Sequence, residues 1–312
     1  NLSLISANAE QLILSEHGQE DSEQSNPQPH IVAQGLLHRQ PGSELRYLLS
    51  HTQHSLVERL HTHLYQHTDA SMQPGVTHLE QFIQIRRGEE LGKDSPLIRR
   101  EPLADDENDV WYPVLRGGSD IRPYTIPTAQ HWIARSVLQK PLERYLQPKL
   151  LVVKSAGRLQ ATLDIQGHVV LQTLYILSTH THQHSPMSAA ALSDDELYFF
   201  LALLNSRLLQ DYVYTFYTAY KWVQPQIEQH VIAQLPVPRA ADYTKKEQII
   251  QRARLLLHTC SQPRNDVEWK TYVEELHKEQ ENAICALYEE ALAGWRPQQQ
   301  DVEIDKGVTS YG

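Results

Sequence analysis

Between Glu44 and His67 the apolar residues Leu45, Leu48, Leu49, Leu56, Leu60 and Leu64 recur on one side of a helical wheel, which predicts a helix with one buried face. The stretch QPG at 73–75 ends it. An irregular region follows, punctuated by Gly88, Gly92, Pro96, Pro102, Gly117, Gly118 and Pro123. From Leu150 the period changes. The runs LLVVK (150–154), QATLD (160–164) and HVVLQTLYIL (168–177) are rich in β-branched residues and separated by short connections containing Gly157 and Gly167. They predict a β-hairpin or meander. Ser193 and Glu196 form a capping-box pair, and the helix they open runs through LYFFLALLNSRLLQDYVYTFY, apolar almost all round and therefore deeply buried. Thr244 with Glu247 opens a further helix ending near Cys260, and Asn265 with Glu268 a long one stopped by Gly294. The expected class is α+β, with a mainly antiparallel β centre, flanking helices and a helical C-terminal segment.

Composition leaves that picture intact and narrows the chemistry. At 312 residues, 40% hydrophobic and 21% charged, the chain has ample length for a buried core. No run approaches a membrane span and no signal-peptide pattern opens the chain. It begins at Asn1 rather than Met, which reads as a fragment or a processed chain. Two cysteines, Cys260 and Cys285, make no disulfide framework and suit a reducing cytoplasm. The formal charge of −10 argues against a nucleic-acid partner until it is mapped. Residues 1–30 hold −5 and residues 266–312 hold −7, which leaves +2 on the centre. Thirteen Lys and Arg fall within 79–160, so acidic ends hide a centre able to meet phosphates. Residues 15–30 are polar and acidic and read as a linker.

Catalytic signatures are missing. The sequence has no G-x-x-x-x-G-K-[ST] loop, G-x-G-x-x-G turn, G-x-S-x-G elbow or H-E-x-x-H pair. Histidine is abundant: His51, His54, His61, His63 and His67 lie on the first helix, where a wet face is expected, and His180, His182 and His184 alternate in HTHQH. Three imidazoles on one side of a strand could hold a metal, but no Cys or carboxylate cluster completes the site, and solvated loops are the commoner reading. The aromatics from Tyr198 to Trp222 have core spacing, with Tyr217 or Tyr220 as minor candidates for base contact. The better lead is basic. Arg86, Arg87, Lys93, Arg99, Arg100, Arg116 and Arg122 fall among Gly and Pro residues, and Lys154 and Arg158 flank the turn KSAGR. Loops present such forks and ammonium groups to phosphates and base edges, although solvated surface charge explains any one of them as well.

The order of six segments resembles one family. LEQFIQIRRGEELGKDSPLI (79–98), PVLRGGSDIRPYTI (113–126) with its G-x-D-I-x-x-Y element, PKLLVVKSAGRLQATLD (148–164), LYFFLALLNSRLLQDYV (197–213), VIAQLPVP (231–238) and YVEELHKEQENAICALYEEAL (272–292) are similar, in that order, to the TaqI-like C-terminal specificity domain of N6-adenine DNA methyltransferases and restriction-modification enzymes. The resemblance implies a double-stranded DNA recognition module, with DNA contacts at Lys93, Arg116, Arg122, Lys154, Arg158 and Lys221, and apolar or stacking contacts at Tyr124 and Tyr220. It also implies a catalytic methyltransferase domain or subunit as partner. That part would carry the S-adenosylmethionine loop and the N-P-P-Y adenine pocket, neither of which this chain has: Asn26-Pro27-Gln28-Pro29 differs at its third residue. No cofactor and no catalytic residue is expected here. The segments divide as residues 1–75, a linker and helix that could be the tail of a catalytic domain; 76–240, the recognition domain; and 241–312, a helical segment and tail. Three alternatives stay open on the residues: a separate specificity subunit of a type I-like restriction-modification system, a His-rich metal-binding protein, and an interaction scaffold using the acidic C-terminal helix.

Overall fold

A computed structural model describes residues 2–6, 11–16, 30–33, 51–66, 75–102, 109–155, 158–179, 194–218, 226–239, 243–262, 264 and 266–293. The middle of the chain builds a four-stranded sheet of β5 (Ile83–Arg87), β9 (Lys149–Val153), β10 (Ala161–Asp164) and β12 (Leu174–Thr179). Its order is β10-β9-β12-β5, antiparallel throughout. A second sheet orders β11 (Val169–Val170), β7 (Trp111–Leu115), β8 (Trp132–Ala134) and β6 (Ile98–Arg99), with β11 and β7 parallel. Two short strands, β4 (Val76–His78) and β13 (Pro236–Pro238), pair with each other. β1 (Leu2–Ser6), β2 (Gln11–Glu16) and β3 (His30–Ala33) form a separate antiparallel sheet, whose residues Ser15, Glu16 and His30 overlap the linker expected at 15–30.

The central sheet lies between two cores, which explains why its strands read as apolar runs rather than as alternation. Leu150, Val152, Leu163, Tyr175 and Leu177 face a large core shared with the helices. Leu151, Val153, Leu174 and Ile176 face a smaller core completed by Val114, Leu115, Ile133 and Tyr145. The helical layer consists of α1 (His51–Gln66), α3 (Asp194–Asn205), α4 (Arg207–Val213), α5 (Gln229–Ala233), α6 (Tyr243–Cys260) and α7 (Val267–Leu292); α2 (Glu143–Leu146) is a single turn near β9. Leu56, Val57 and Leu60 of α1 and Ile284, Leu287 and Tyr288 of α7 enter the same large core as the sheet. The class is thus α+β, as the periodicities predict.

Several details depart from the sequence reading. β9 and β10 do form a hairpin, but β12 pairs with the other edge of β9, so the three runs are not a meander. The run 168–177 splits because Val169 and Val170 pair with β7 of the second sheet before Leu174 joins the first. The long apolar helix is two helices. Ser206 takes extended dihedrals (φ −68°, ψ 145°) and caps α4, accepting a hydrogen bond from the Leu209 N–H. Glu281 of α7 accepts from the N–H groups of Arg207 and Leu208 at 2.7 and 2.9 Å, so the broken end is fully satisfied. α7 is capped by Asp266, which accepts from Trp269 N–H at 2.9 Å, rather than by Asn265. α6 already includes Tyr243, which leaves Thr244 inside the helix. The α1 histidines do not all face water: His63 is buried, and His61 stacks on Phe216 with centroids 3.8 Å apart.

Candidate nucleic-acid interface

One end of the central sheet gathers three connections. There β5 ends at Arg87, β9 ends at Val153, and β10 and β12 begin at Ala161 and Leu174, as the pairs Val152–Ala161, Val153–Leu174 and Arg87–Tyr175 require. The chain after β5 has to pass close to the second sheet. A Cβ on Gly88 would stand 2.1 Å from the Val170 carbonyl oxygen, so only glycine fits. Beyond it the buried Glu89 carboxylate accepts from the Tyr145 hydroxyl at 2.7 Å and from the N–H groups of Gln139 and Lys140 at 3.0 and 3.1 Å. These bonds fix the path that delivers Lys93 to the surface.

A groove of about 600 Å³ opens at this end of the sheet, lined by Lys93, Arg116, Gly117, Ser155, Gln160 and Thr173 among others. Lys93 is exposed. Arg116 is half-buried, donates from Nη1 to the Lys93 carbonyl at 3.4 Å, and lies 3.9 Å from the Asp120 carboxylate. Asp120 also accepts the Arg116 N–H at 2.6 Å, which closes the loop R-G-G-S-D. The half-buried Lys154 lies in the chain between the lining residues Val153 and Ser155, its N–H donating to the Thr173 carbonyl at 3.0 Å. Arg158, beyond the β9–β10 turn, and Arg122 are exposed. The groove therefore brings Lys93 and Arg116 together, while Lys154 follows the lining residue Val153 in sequence and Arg122 and Arg158 lie on adjoining loops. Asp94 lines it too, so its character is mixed rather than uniformly cationic. His131 reports the local field: burial, then the charges of Arg116 and Arg100, lower its pKa against the pull of Asp120.

Tyr124 corrects the sequence reading. Its side chain is 1% exposed and belongs to the large core, so it offers DNA no face. Burial pushes its hydroxyl pKa up, and the hydroxyl stays protonated. Tyr217, a minor candidate for base contact, is half-buried, with its hydroxyl 3.4 Å from Gln234 Oε1. Tyr220, Lys221 and the HTHQH histidines lie outside the described residues. Among the described residues no group of three or more His, Cys, Asp or Glu could hold a metal ion, and no helix is long and apolar enough to cross a membrane.

Sequence reasoning missed two buried polar assemblies that shape this end and its opposite. One is the Glu89–Tyr145 pair described above. The other closes the far end of the sheet, where Asp164 and Lys149 are both 0% exposed with Nζ to Oδ2 at 2.5 Å. The Asp164 carboxylate further accepts from His168 Nδ1 and from the N–H groups of Gln166, Gly167 and His168, at 2.9 to 3.2 Å. The signal available was Asp at the end of a strand followed by Gly three residues later, an Asx-turn pattern.

The described residues thus form a two-sheet core with helices packed on one face and a groove at one sheet end lined by both Lys93 and Arg116 and the acidic Asp94. Residues 112–237 match the family model described as the TaqI-like C-terminal specificity domain, which bears out the resemblance. The similar segments at 79–98 and 272–292 fall outside that match. No curated protein sequence matches the chain. Among the solved structures similar to it are these three. One is a chain from a structure of the type I R-M system, at 16% identity and TM-score 0.38, over 78% of this chain and 53% of that one. Another is the HsdS subunit from Thermoanaerobacter tengcongensis, at 14% and 0.34, over 81% and 55%. The third is the S subunit of a type I restriction-modification system from M. genitalium, at 12% and 0.35, over 76% and 56%. The chain spans about half the length of these proteins.

Proposed function

We propose that this chain is a sequence-specific double-stranded DNA recognition module of a restriction-modification system. The observation that carries the reading is the meeting of Lys93 and Arg116 in one groove within a segment that matches the TaqI-like specificity family. Lysine and arginine at the groove neutralise phosphates and fix register, while arginine forks on neighbouring loops read guanine edges in the major groove. Arg122 and Arg158 are the exposed candidates for the second task. Tyr220 and Lys221 stay in the proposal on the resemblance alone.

Methyl transfer belongs in this reading to another domain or subunit that carries S-adenosylmethionine and flips the target adenine. The lack of a phosphate-cradling or nucleophile motif in the sequence supports that division. A cytoplasmic location, where such a system would meet DNA, belongs to the same proposal.

Fluorescence anisotropy of the chain with duplex DNA at several salt concentrations, followed by selection from a randomised duplex library, tests the proposal. Enrichment of one short motif, with affinity falling as salt rises, is the expected result. No binding at low salt, alone or with the methyltransferase partner, overturns it.

A further inference from the structure

The turn that presents Arg122 is built in an expensive way. Arg122 and Thr125 exchange both backbone hydrogen bonds at 3.0 Å around Pro123 and Tyr124. Tyr124 has φ +60° and is the one non-glycine residue with positive φ among the described residues. Proline followed by a left-handed residue is the type II arrangement, in which glycine or asparagine fits the third position without steric penalty. Here the position carries a tyrosine, whose Cβ makes it disfavoured.

The ring explains why the strain persists. It is buried in the large core, 5.4 Å from the His277 ring of α7 and tilted 60° to it. The Tyr124 N–H donates to the Ala161 carbonyl at 3.1 Å. Ala161 is itself gripped by Asn205 of α3, which accepts from its N–H and donates to its carbonyl, each at 3.0 Å. On the other side of Arg122, the Ile121 carbonyl accepts from Gln160 Nε2 at 2.6 Å, and Ile121 is buried in the smaller core. Arg122 therefore stands between two anchors set in different cores, while remaining exposed. A residue whose only task was to fill the core would not need a left-handed backbone. A strained conformation over-determined by its surroundings, next to an exposed arginine, is a pre-organising device.

We propose that Tyr124 is a positioning residue that holds Arg122 in the orientation that reads a base pair. The proposal rests on the DNA-reading function above. The test is a double-mutant cycle on the selected DNA site, with binding to an unrelated duplex measured alongside. Tyr124→Gly frees the turn and removes the anchor; it should weaken the selected site about tenfold, near the value of one base contact. Affinity for unrelated DNA should stay within about twofold, and combining Tyr124→Gly with Arg122→Ala should add no more than about twofold to Arg122→Ala alone. Tyr124→Phe keeps the ring and gives up only the hydroxyl's hydrogen bond to Asn205, so it should stay within about twofold of wild type on both duplexes. Should Tyr124→Gly fail to fold, His277→Ala removes the support of the ring without touching the turn and should follow the same pattern, within the same cycle. Equal losses on selected and unrelated DNA, or a full additional loss in the Arg122→Ala background, overturn the positioning role while leaving the DNA-reading function intact. A wild-type protein that selects no site overturns both.

Discussion

Asn205 holds Ala161 by both of its backbone polar groups, Oδ1 accepting from the N–H and Nδ2 donating to the carbonyl, each at 3.0 Å. This amide joins the end of α3 to the first residue of β10, beside the loop that carries Arg122. The Asn-Ser pair at 205–206 thus has two separate structural tasks: Asn205 ties helix to sheet, and Ser206 starts the next helix.

Removing the Asn205 amide takes the partner from the buried Ala161 N–H, while the Ala161 carbonyl keeps only the Tyr124 N–H. Asn205→Ala should cost about 1–3 kcal/mol of stability. Asn205→Asp should also destabilise, because a carboxylate cannot donate to the Ala161 carbonyl. Denaturant unfolding of the two variants reads both; equality of either with wild type would refute the clamp.

Asp164 is the acceptor for one buried lysine, one histidine and three backbone N–H groups. Burial by itself would raise its pKa, but the hydrogen bonds and charges of His168 and Lys149 outweigh burial and hold the carboxyl below its ordinary value. A folded pKa below the unfolded one means stabilisation that is complete above about pH 4 and lost as the pH falls further. Asp164→Ala should cost about 3–5 kcal/mol, since it strands the Lys149 ammonium in the interior. It should also flatten the acid limb of stability against pH, measured by chemical unfolding between about pH 3 and 7.

Gly88 and Gly92 provide an internal control for close packing. A Cβ at Gly88 would collide with Val170 and Leu171 carbonyl oxygens at 2.1 and 2.5 Å, whereas one at Gly92 meets nothing within 4 Å. Gly88→Ala should lower stability by about 1–3 kcal/mol or more, because backbone must move. Gly92→Ala should remain within about 0.5 kcal/mol of wild type. Thermal unfolding of the pair separates a steric requirement from a general glycine effect.

Lys93, which lines the groove, and Lys154, next in sequence to its lining residue Val153, carry point charges rather than planar forks. Lys93→Ala and Lys154→Ala should each reduce the slope of log affinity against log salt by about 1 and leave the selected sequence unchanged. Arg122→Ala should relax preference at one position of the site. Library selection on each variant distinguishes the two kinds of residue; a lysine variant that changes the preferred sequence would refute this division of labour.

Much of the fold was legible in the chain because it follows from local physics. The periodicity around Leu56, Leu60 and Leu64 marked α1, and the β-branched runs near 150, 161 and 174 marked the central strands. That these strands are covered on both faces came from the two cores and explains why their runs are apolar at nearly every position. The basic centre was visible once the acidic ends were set aside, and the G-x-D-I-x-x-Y and Asn-Ser segments were readable as members of an ordered set.

Tertiary structure decided everything that depends on pairing between distant residues. The position of β12 beside β9 rather than β10 is a choice between hydrogen-bonding partners that no single strand encodes. The break at Ser206 is stable because Glu281, far along the chain, satisfies the exposed N–H groups. Glu89, Lys149 and Asp164 read as ordinary surface charges until their buried partners are known. Tyr124 stood as a DNA contact on the family resemblance alone; its ring instead packs in the core beside His277, its N–H binds the Ala161 carbonyl, and the backbone there is left-handed. Sequence alone thus determined which elements form and where positive charge concentrates, since those follow from near neighbours. Burial, which sets whether a polar or aromatic group holds the fold or meets a partner, was decided only by contacts across the folded molecule.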